Sequence, residues 1–595
     1  MKRNIFVLCL PLLLLTACQG STNPSSSSSV TPDPQLTTKN VTMYAAYSSL
    51  IGEDGNIDLD AQTKSSLPLA FLAGQEYLPY INVATFVRAF GTVENYITNE
   101  GDDGKSYAIT LKRNDKTFSF VLDSQAKSMS IAGDFRYIIN GAEEKETSSN
   151  LLEGKVTNGV VGDPNKAYII SFAETELTLL SSKGSLYAPL GLLDAVFFKL
   201  VGVGCFYAYD RIYIYNEPMA FHKLRFKDKT SPNSYTAAQK MGSLLENKTM
   251  PMYLRRYNRD IVTFLFENYY GLKYSLGIAS VASYFKSTSY YEQMLSETAE
   301  VRANALYQFI RRFHDGHTGL LSYAGAWDEN VSKDIPQSLV DTRSTIEASL
   351  IASRKAVYDS LGLKVEQVRY SKDGSTAVFP LMKFAAYDNY FDAQGKPTTT
   401  PEVAAKEDTY LQSKAYFEEI DKKGGVKNVI IDMSVNEGGD SATMGNLLTL
   451  LSKDNKSTMC FHDVLTNTVL TAETRLDTNR DGKVDEKDVT YGKYKIYLLV
   501  SPCAFSCGTA YPFYAEAQKL ATIIGQKPAG GECVLAQAIL PNGQCLAHSG
   551  TLRVCFPKGD GYIYDEAGPE IDTDFRYDEF YDLEKMVEKL KEDEE

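Results

Sequence analysis

From about residue 375 onward the chain alternates between two textures. Runs rich in β-branched and aromatic residues, "TAVFPLMKF", "VKNVIIDM", "YKIYLLVS", "LATIIGQ" and "TLRVCFP", read as strands, and "EDTYLQSKAYFEEIDKK", "ATMGNLLTLLSK" and "GTAYPFYAEAQKL" between them carry helical spacing. Such alternation leaves few architectures open. It implies an α/β core in which helices cover a sheet.

The remainder of the chain is organised differently. With 595 residues there is room for three or four domains. Residues 41–220 are strand-rich with frequent turns, and a weak internal echo runs through them. "EYLPYINVATFVRAFG" followed by "SYAITLKR" is answered by "SLYAPLGLLDAVFFKLVG" followed by "RIYIYN". Each copy reads as a short strand with proline, an amphipathic helix and a closing strand. The unit resembles the small module repeated in copper-amine-oxidase N-terminal-like domains, which implies a binding or spacer role without copper chemistry. Residues 235–330 read as a helical cap, closed by the amphipathic "AEVRANALYQFIRRFHDGHTG", and 331–595 as the core.

The first residues carry an address. Lys2 and Arg3 precede an apolar stretch, Ile5 to Leu15, too short to span a bilayer, so residues 1–17 read as an export signal. "LTAC" resembles a bacterial lipobox, which implies lipidation of Cys18 and a membrane-anchored, extracytoplasmic protein. Residues 18–40, serine-rich and polar, read as a tether. A net charge of −14 argues against nucleic acid as a partner. Beyond the signal and lipobox, seven cysteines remain, Cys205, Cys460, Cys503, Cys507, Cys533, Cys545 and Cys555. Outside the cytoplasm some are free to pair, but the odd number leaves at least one over, and their spacing fits no zinc site.

Chemistry concentrates in three segments. "VIIDMSVNEGGD" ends a strand in Gly438 and Gly439, whose backbone can approach a ligand closely and point amides at an oxyanion. "SPCAFSCGTAYPFYAEAQKLATIIGQKPAGG" sets Ser506 at a sharp strand-to-helix junction, and "FHDGHTG" supplies His314 and His317 upstream. In this order the three segments resemble the serine peptidase family of C-terminal processing proteases and tricorn-type core proteases. The resemblance spans roughly residues 250–580 and implies a ClpP/crotonase-like peptidase core that hydrolyses peptide bonds through an acyl-enzyme, with no catalytic cofactor.

What the resemblance implies can be carried over by position. Ser506 falls at the nucleophile, and the amide of Cys507 with one from Gly438 or Gly439 at the oxyanion donors. The processing proteases use a lysine as base, but Gly531 stands in its place here, and Lys527 is four residues early. The tricorn-type branch uses a histidine, and His317 matches it, with His548 as the fallback. A histidine titrating near neutrality can take the serine proton and return it to the leaving amine. The orienting carboxylate falls at Asp565, with Glu566 adjacent. Glycine precedes His317 where the tricorn-type site carries a serine. The interval between residues 323 and 376 is short for the PDZ domain of the processing proteases, in keeping with a PDZ-free, tricorn-like branch.

A separate motif, "DTNRDGKVDEKD", has calcium-loop spacing. Asp477, Asn479 and Asp481 occupy positions 1, 3 and 5, Gly482 the required turn, Lys483 the carbonyl position, Asp485 position 9 and Asp488 position 12. It predicts a structural Ca2+ site inserted in the core. The sequence thus predicts a lipid-anchored serine endopeptidase acting on peptides or proteins. The alternative is a binding lipoprotein that keeps the fold without catalysis.

Overall fold

The computed structural model describes residues 34–592 apart from 63–64, 91–94, 101–105, 114–115, 133–146, 149–152, 164–165, 199–203, 246–247, 324, 328–341, 388–398, 532 and 566–567. The export signal, Cys18 and Glu566 lie outside the described residues. Among those described, no helix is long and apolar enough to cross a membrane.

The core is built on a six-stranded sheet in the order 369–370, Thr376–Pro380, Asn428–Asp432, Lys495–Val500, Thr522–Gly525 and Thr573–Asp574. All neighbours are parallel except the first pair. The reason is legible residue by residue. Val429, Ile431, Leu498 and Val500 pack in one hydrophobic cluster with the helices Thr409–Lys423, Ser441–Leu450 and Cys507–Ala517. Ile430, Tyr497 and Leu499 pack in another with Leu350 and the C-terminal helix Leu583–Glu592. Successive side chains point to opposite faces, so a strand apolar at every position must be covered on both.

Of the five strand runs, "TLRVCFP" departs from this sheet. It forms part of Cys545–Lys558, a 14-residue strand that pairs antiparallel with Cys533–Ile539, Ser457–Asp463 and Gly561–Tyr564 in a second, eight-stranded sheet. Parallel neighbours need a long crossover, whereas this strand is bracketed by short connections that return the chain as hairpins. The same sheet takes in Gly154–Val161, which pairs antiparallel with Thr468–Leu476 along its whole length. A stretch within the N-terminal region read from sequence is therefore a strand of the core.

In the N-terminal region the echoed segments meet. Tyr80–Asn82, just after Pro79, and Ser185–Pro189, the corresponding strands of the two copies, pair antiparallel in a seven-stranded sheet. Their closing strands part company. Arg211–Tyr215 joins that sheet and Ser106–Arg113 a separate five-stranded one. The helical segment contributes Met252–Tyr269 and Ala299–Arg311, which meet through Phe266 and Phe309, edge to face with ring centroids 5.9 Å apart.

Where Gly154–Val161 enters the core, a buried carboxylate fixes it. Glu153 accepts hydrogen bonds from Tyr410 Oη at 2.6 Å, Lys414 Nζ at 3.1 Å and Arg480 Nε at 2.9 Å. Glu153→Gln removes the charge with which both cations pair. The expected loss is about 3 kcal/mol, at the lower end of the roughly 3–5 kcal/mol for breaking a buried pair, because both cations keep part of their hydration. Urea denaturation of the two proteins measures it, and equal midpoints would show that Glu153 is not the anchor.

Candidate active site

The strands Asn428–Asp432 and Lys495–Val500 lie side by side, Ile430 opposite Tyr497. Being parallel, they release the chain at the same edge of the sheet, the end at which open α/β sheets place their ligands. The glycine pair leaves the first strand there and Ser506 the second.

Ser506 has φ 58° and ψ −125°, a backbone conformation that few residues with a side chain adopt. It stands at the N-cap of the helix Cys507–Ala517, yet its side chain makes no capping bond. The hydroxyl is thus not spent on the helix, and the strained strand-to-helix turn presents it as nucleophile elbows do. The turn is held by backbone: the Ser506 amide donates to Gly530 O at 2.8 Å and the Phe505 amide to Asn436 O at 3.0 Å.

The glycine pair abuts this turn. A Cβ on Gly438 would fall 2.8 Å from Ser506 Cβ and 2.9 Å from Cys507 N. Asn436, buried, donates through Nδ2 to Leu381 O at 2.9 Å and accepts the Gly438 amide at Oδ1 at 2.8 Å. The sequence left open which glycine donates to an oxyanion. The Gly438 amide is engaged by Asn436, which leaves that of Gly439. At the helix start, where backbone N–H groups lack intrahelical partners, the Cys507 amide is the other candidate. The Cys507 thiol donates to Gly439 O at 3.2 Å, tying the two turns together.

His317 reaches the same place through Phe505. Their rings meet edge to face with centroids 4.7 Å apart. A Cβ on Gly316 would lie 2.6 Å from that phenyl ring, and one on Gly531 2.7 Å from Ser506 N. Phe505 therefore accounts for the glycine before His317. The position of the family lysine cannot carry a side chain while this turn stands, and Gly531 has φ 103° besides. The turn bearing His317 is set by Asp315, which accepts the His317 amide at 3.0 Å and the Thr318 hydroxyl at 2.6 Å. Burial lowers the His317 pKa from its ordinary value, while the Asp315 charge and the Cys533 backbone pull the other way.

The other sequence candidates lie around this centre. His548 is fully buried, its ring 5.5 Å from that of Phe266 and its Nδ1 2.8 Å from Ser549 O. Asp565 is fully buried, its carbonyl accepting the Gly568 amide at 2.8 Å, and its charge bears on the Tyr514 phenol. Lys527 is exposed. As rival nucleophiles the cysteines are poorly placed: Cys503 is fully buried, and burial with the Asp440 charge pushes the Cys507 thiol up to about 12, leaving it protonated.

Residues 401–573, which include both turns, match the model of peptidase family S41. Over that segment the chain resembles peptidase family S41. A comparison with curated proteins returned no match. Among solved structures, a lipoprotein from Streptococcus agalactiae is 14% identical, with 58% of this chain and 98% of that one covered and a TM-score of 0.33. Mature CPAF is 12% identical, with 55% and 94% covered and a TM-score of 0.35. The tricorn protease is 10% identical, with 89% and 57% covered and a TM-score of 0.32. The chain is a peptidase or a peptidase-like protein.

Beneath the candidate site runs a polar network that sequence reading did not anticipate. Arg354 pairs with Asp432 at 3.2 Å, Asp432 accepts the Ser434 hydroxyl at 2.6 Å, and Ser434 Oγ lies 2.8 Å from Tyr581 Oη. The Ser501 hydroxyl donates to Ser434 O, so the floor of one turn is bonded to the approach of the other. Asn436 was at least visible within "DMSVNEGG". Phe505 and Arg354 carried no local signal.

The loop Asp477–Asp488 takes the turn its spacing requires, with Gly482 at φ 85°. Its donors, hard oxygens, suit calcium in kind. They are presently turned onto the loop's own amides: Asp477 accepts Asp481 N and Gly482 N, Asn479 accepts Asp481 N, Asp481 accepts Lys483 N, Asp485 accepts Lys487 N, and Asp488 accepts Thr478 N and Asp485 N. Among the described residues no three His, Cys, Asp or Glu side chains are grouped to hold a metal.

The lowered His317 pKa has a pH signature. The unfolded histidine titrates at about 6.5, so as pH falls the unfolded state binds its proton first. The stability contributed by the neutral, buried ring is complete above about pH 6.5 and is lost as pH falls towards the lower folded pKa. Wild type is expected to lose melting temperature more steeply than His317→Gln between about pH 7 and pH 5. Parallel slopes would mean that the ring titrates alike folded and unfolded.

Proposed function

We propose that this chain is a serine endopeptidase, exported and held at the membrane by a lipid on Cys18, that cleaves peptides or proteins. The observation that carries the reading is the backbone of Ser506, strained at a helix start with its hydroxyl kept out of capping. In this reading Ser506 Oγ attacks the scissile carbonyl while His317 takes its proton. The amides of Cys507 and Gly439 receive the oxyanion, and His317 then returns the proton to the leaving amine. Water, activated by the same histidine, releases the acyl group. Asp565 or Glu566 is proposed to stabilise the imidazolium.

Labelling by a fluorophosphonate probe, with turnover on a peptide library, tests the proposal. Ser506→Ala is expected to abolish labelling and lower turnover by roughly 10⁴-fold or more. Its melting temperature should be nearly unchanged, because no cap is lost. If wild type neither labels nor cleaves, the chain is the binding lipoprotein that the same fold allows.

We also propose that the Asp477–Asp488 loop binds one structural calcium ion, its carboxylates turning from the loop amides onto the cation. A ligand of the folded state raises stability. Calorimetry is expected to show a higher melting temperature in calcium than in chelator. Identical curves would remove calcium from the description.

A further inference from the structure

Among the described residues, two buried polar atoms, Nδ1 of the candidate base His317 and Oγ of Ser549, have no hydrogen-bond partner. Their residues are buried, His317 at 8% exposure and Ser549 at 0%. Both lie where one strand pair continues into a turn. The short strand Gly319–Leu320 runs antiparallel to Cys545–Lys558, with Gly319 opposite Ala547 and Leu320 opposite Leu546. The ladder ends at Gly319, and His317 lies two residues before it, in the turn that the Thr318 amide closes onto Asp315 O at 3.1 Å. The chains are still joined at that level, since the Ser549 amide donates to Thr318 Oγ1 at 3.3 Å. The residue next to His317 thus touches Ser549, and a hydrogen bond between the Ser549 hydroxyl and the imidazole would satisfy both atoms at once. Hydrogen bonds of this kind are often loose before substrate binds.

We propose that Ser549 is the positioning residue for His317, its Oγ accepting a hydrogen bond from Nδ1–H. That bond fixes the tautomer in which Nε2 is unprotonated and able to take the Ser506 proton. The inference deepens the Ser506–His317 reading and rests on it. It also explains how the site manages with glycine at 316, where tricorn-type proteases carry a serine. The Phe505 ring fills the space a side chain at 316 would occupy. A hydroxyl cannot come from the residue before the histidine, but it can come from the strand across.

The groups facing the His317 ring are Asp315 from its own turn, the Cys533 backbone from the neighbouring strand and Phe505 from the nucleophile turn. Asp315, which already accepts from the His317 amide and the Thr318 hydroxyl, and the Cys533 backbone are the acceptors that compete with Ser549. The test is long-range nitrogen–proton correlation on histidine-labelled protein without substrate. The chain has five histidines, and His317→Gln identifies the signals of interest. Wild type is expected to carry the proton on Nδ1, Ser549→Ala to lose that preference, and Ser549→Thr, which keeps the hydroxyl, to retain it. Alongside, Ser549→Ala should lower kcat on the order of tenfold with KM unchanged, well short of the roughly 10²–10⁴ carried by a general base itself, and Ser549→Thr should restore it. A wild-type proton on Nε2 overturns the proposal without any variant. An unchanged Nδ1–H signal in Ser549→Ala overturns it too and hands the role to Cys533 or Asp315. Because the tautomer is read without substrate, a chain that cleaves nothing still answers. Failure of the peptidase reading shows separately, in the Ser506→Ala comparison.

Discussion

The site depends on one crowded turn. Phe505, Ser506 and Cys507 are packed so closely by their surroundings that Gly438 and Gly531 have no room for a β-carbon, and Gly316 has none beside the Phe505 ring. Crowding fixes what each neighbour can be and so decides which chemistry is available. A lysine base is shut out at 531, a serine is shut out at 316, and the histidine is pressed against Phe505. A backbone like that of Ser506 costs of order 1–3 kcal/mol and survives only where its surroundings over-determine it. Here the Gly530 carbonyl, the Asn436 carbonyl and the first turn of the helix all hold it.

The crowding is possible because both turns leave adjacent parallel strands. Their ends are fixed to each other by ladder hydrogen bonds and, below, by the buried chain from Arg354 through Asp432 and Ser434 to Tyr581. The members of that chain bond to one another away from water, which stiffens the floor. The two turns then move together or not at all, as a preorganised oxyanion site requires.

Much of this was legible in the sequence where the signal is local. Four strand runs and the three helices between them form the core sheet and one of its covers, because a strand buried on both faces has no polar face to disguise it. Ser506 and the glycine pair announced themselves by a strand, a turn and a helix in succession. The signal failed where partners are distant in the chain. "TLRVCFP" looks like the other strands, and only its hairpin neighbours send it to the second sheet. Gly154–Val161 carries nothing that names Thr468–Leu476 as its partner. The choice between Gly438 and Gly439 was undecidable until Asn436 was seen to engage one amide. Phe505, read as an ordinary apolar residue, turned out to set the identities of its neighbours.

The strand Gly154–Val161 has a further consequence, for how the chain is made. It leaves the ribosome long before its partner Thr468–Leu476 exists, so the core's second sheet stays incomplete while most of the protein is synthesised. A fragment begun at residue 331 would carry Thr468–Leu476 with an edge of unpaired amides and carbonyls, a ready template for strands of other chains. What looks like a detachable N-terminal region therefore also supplies a strand of the core's second sheet.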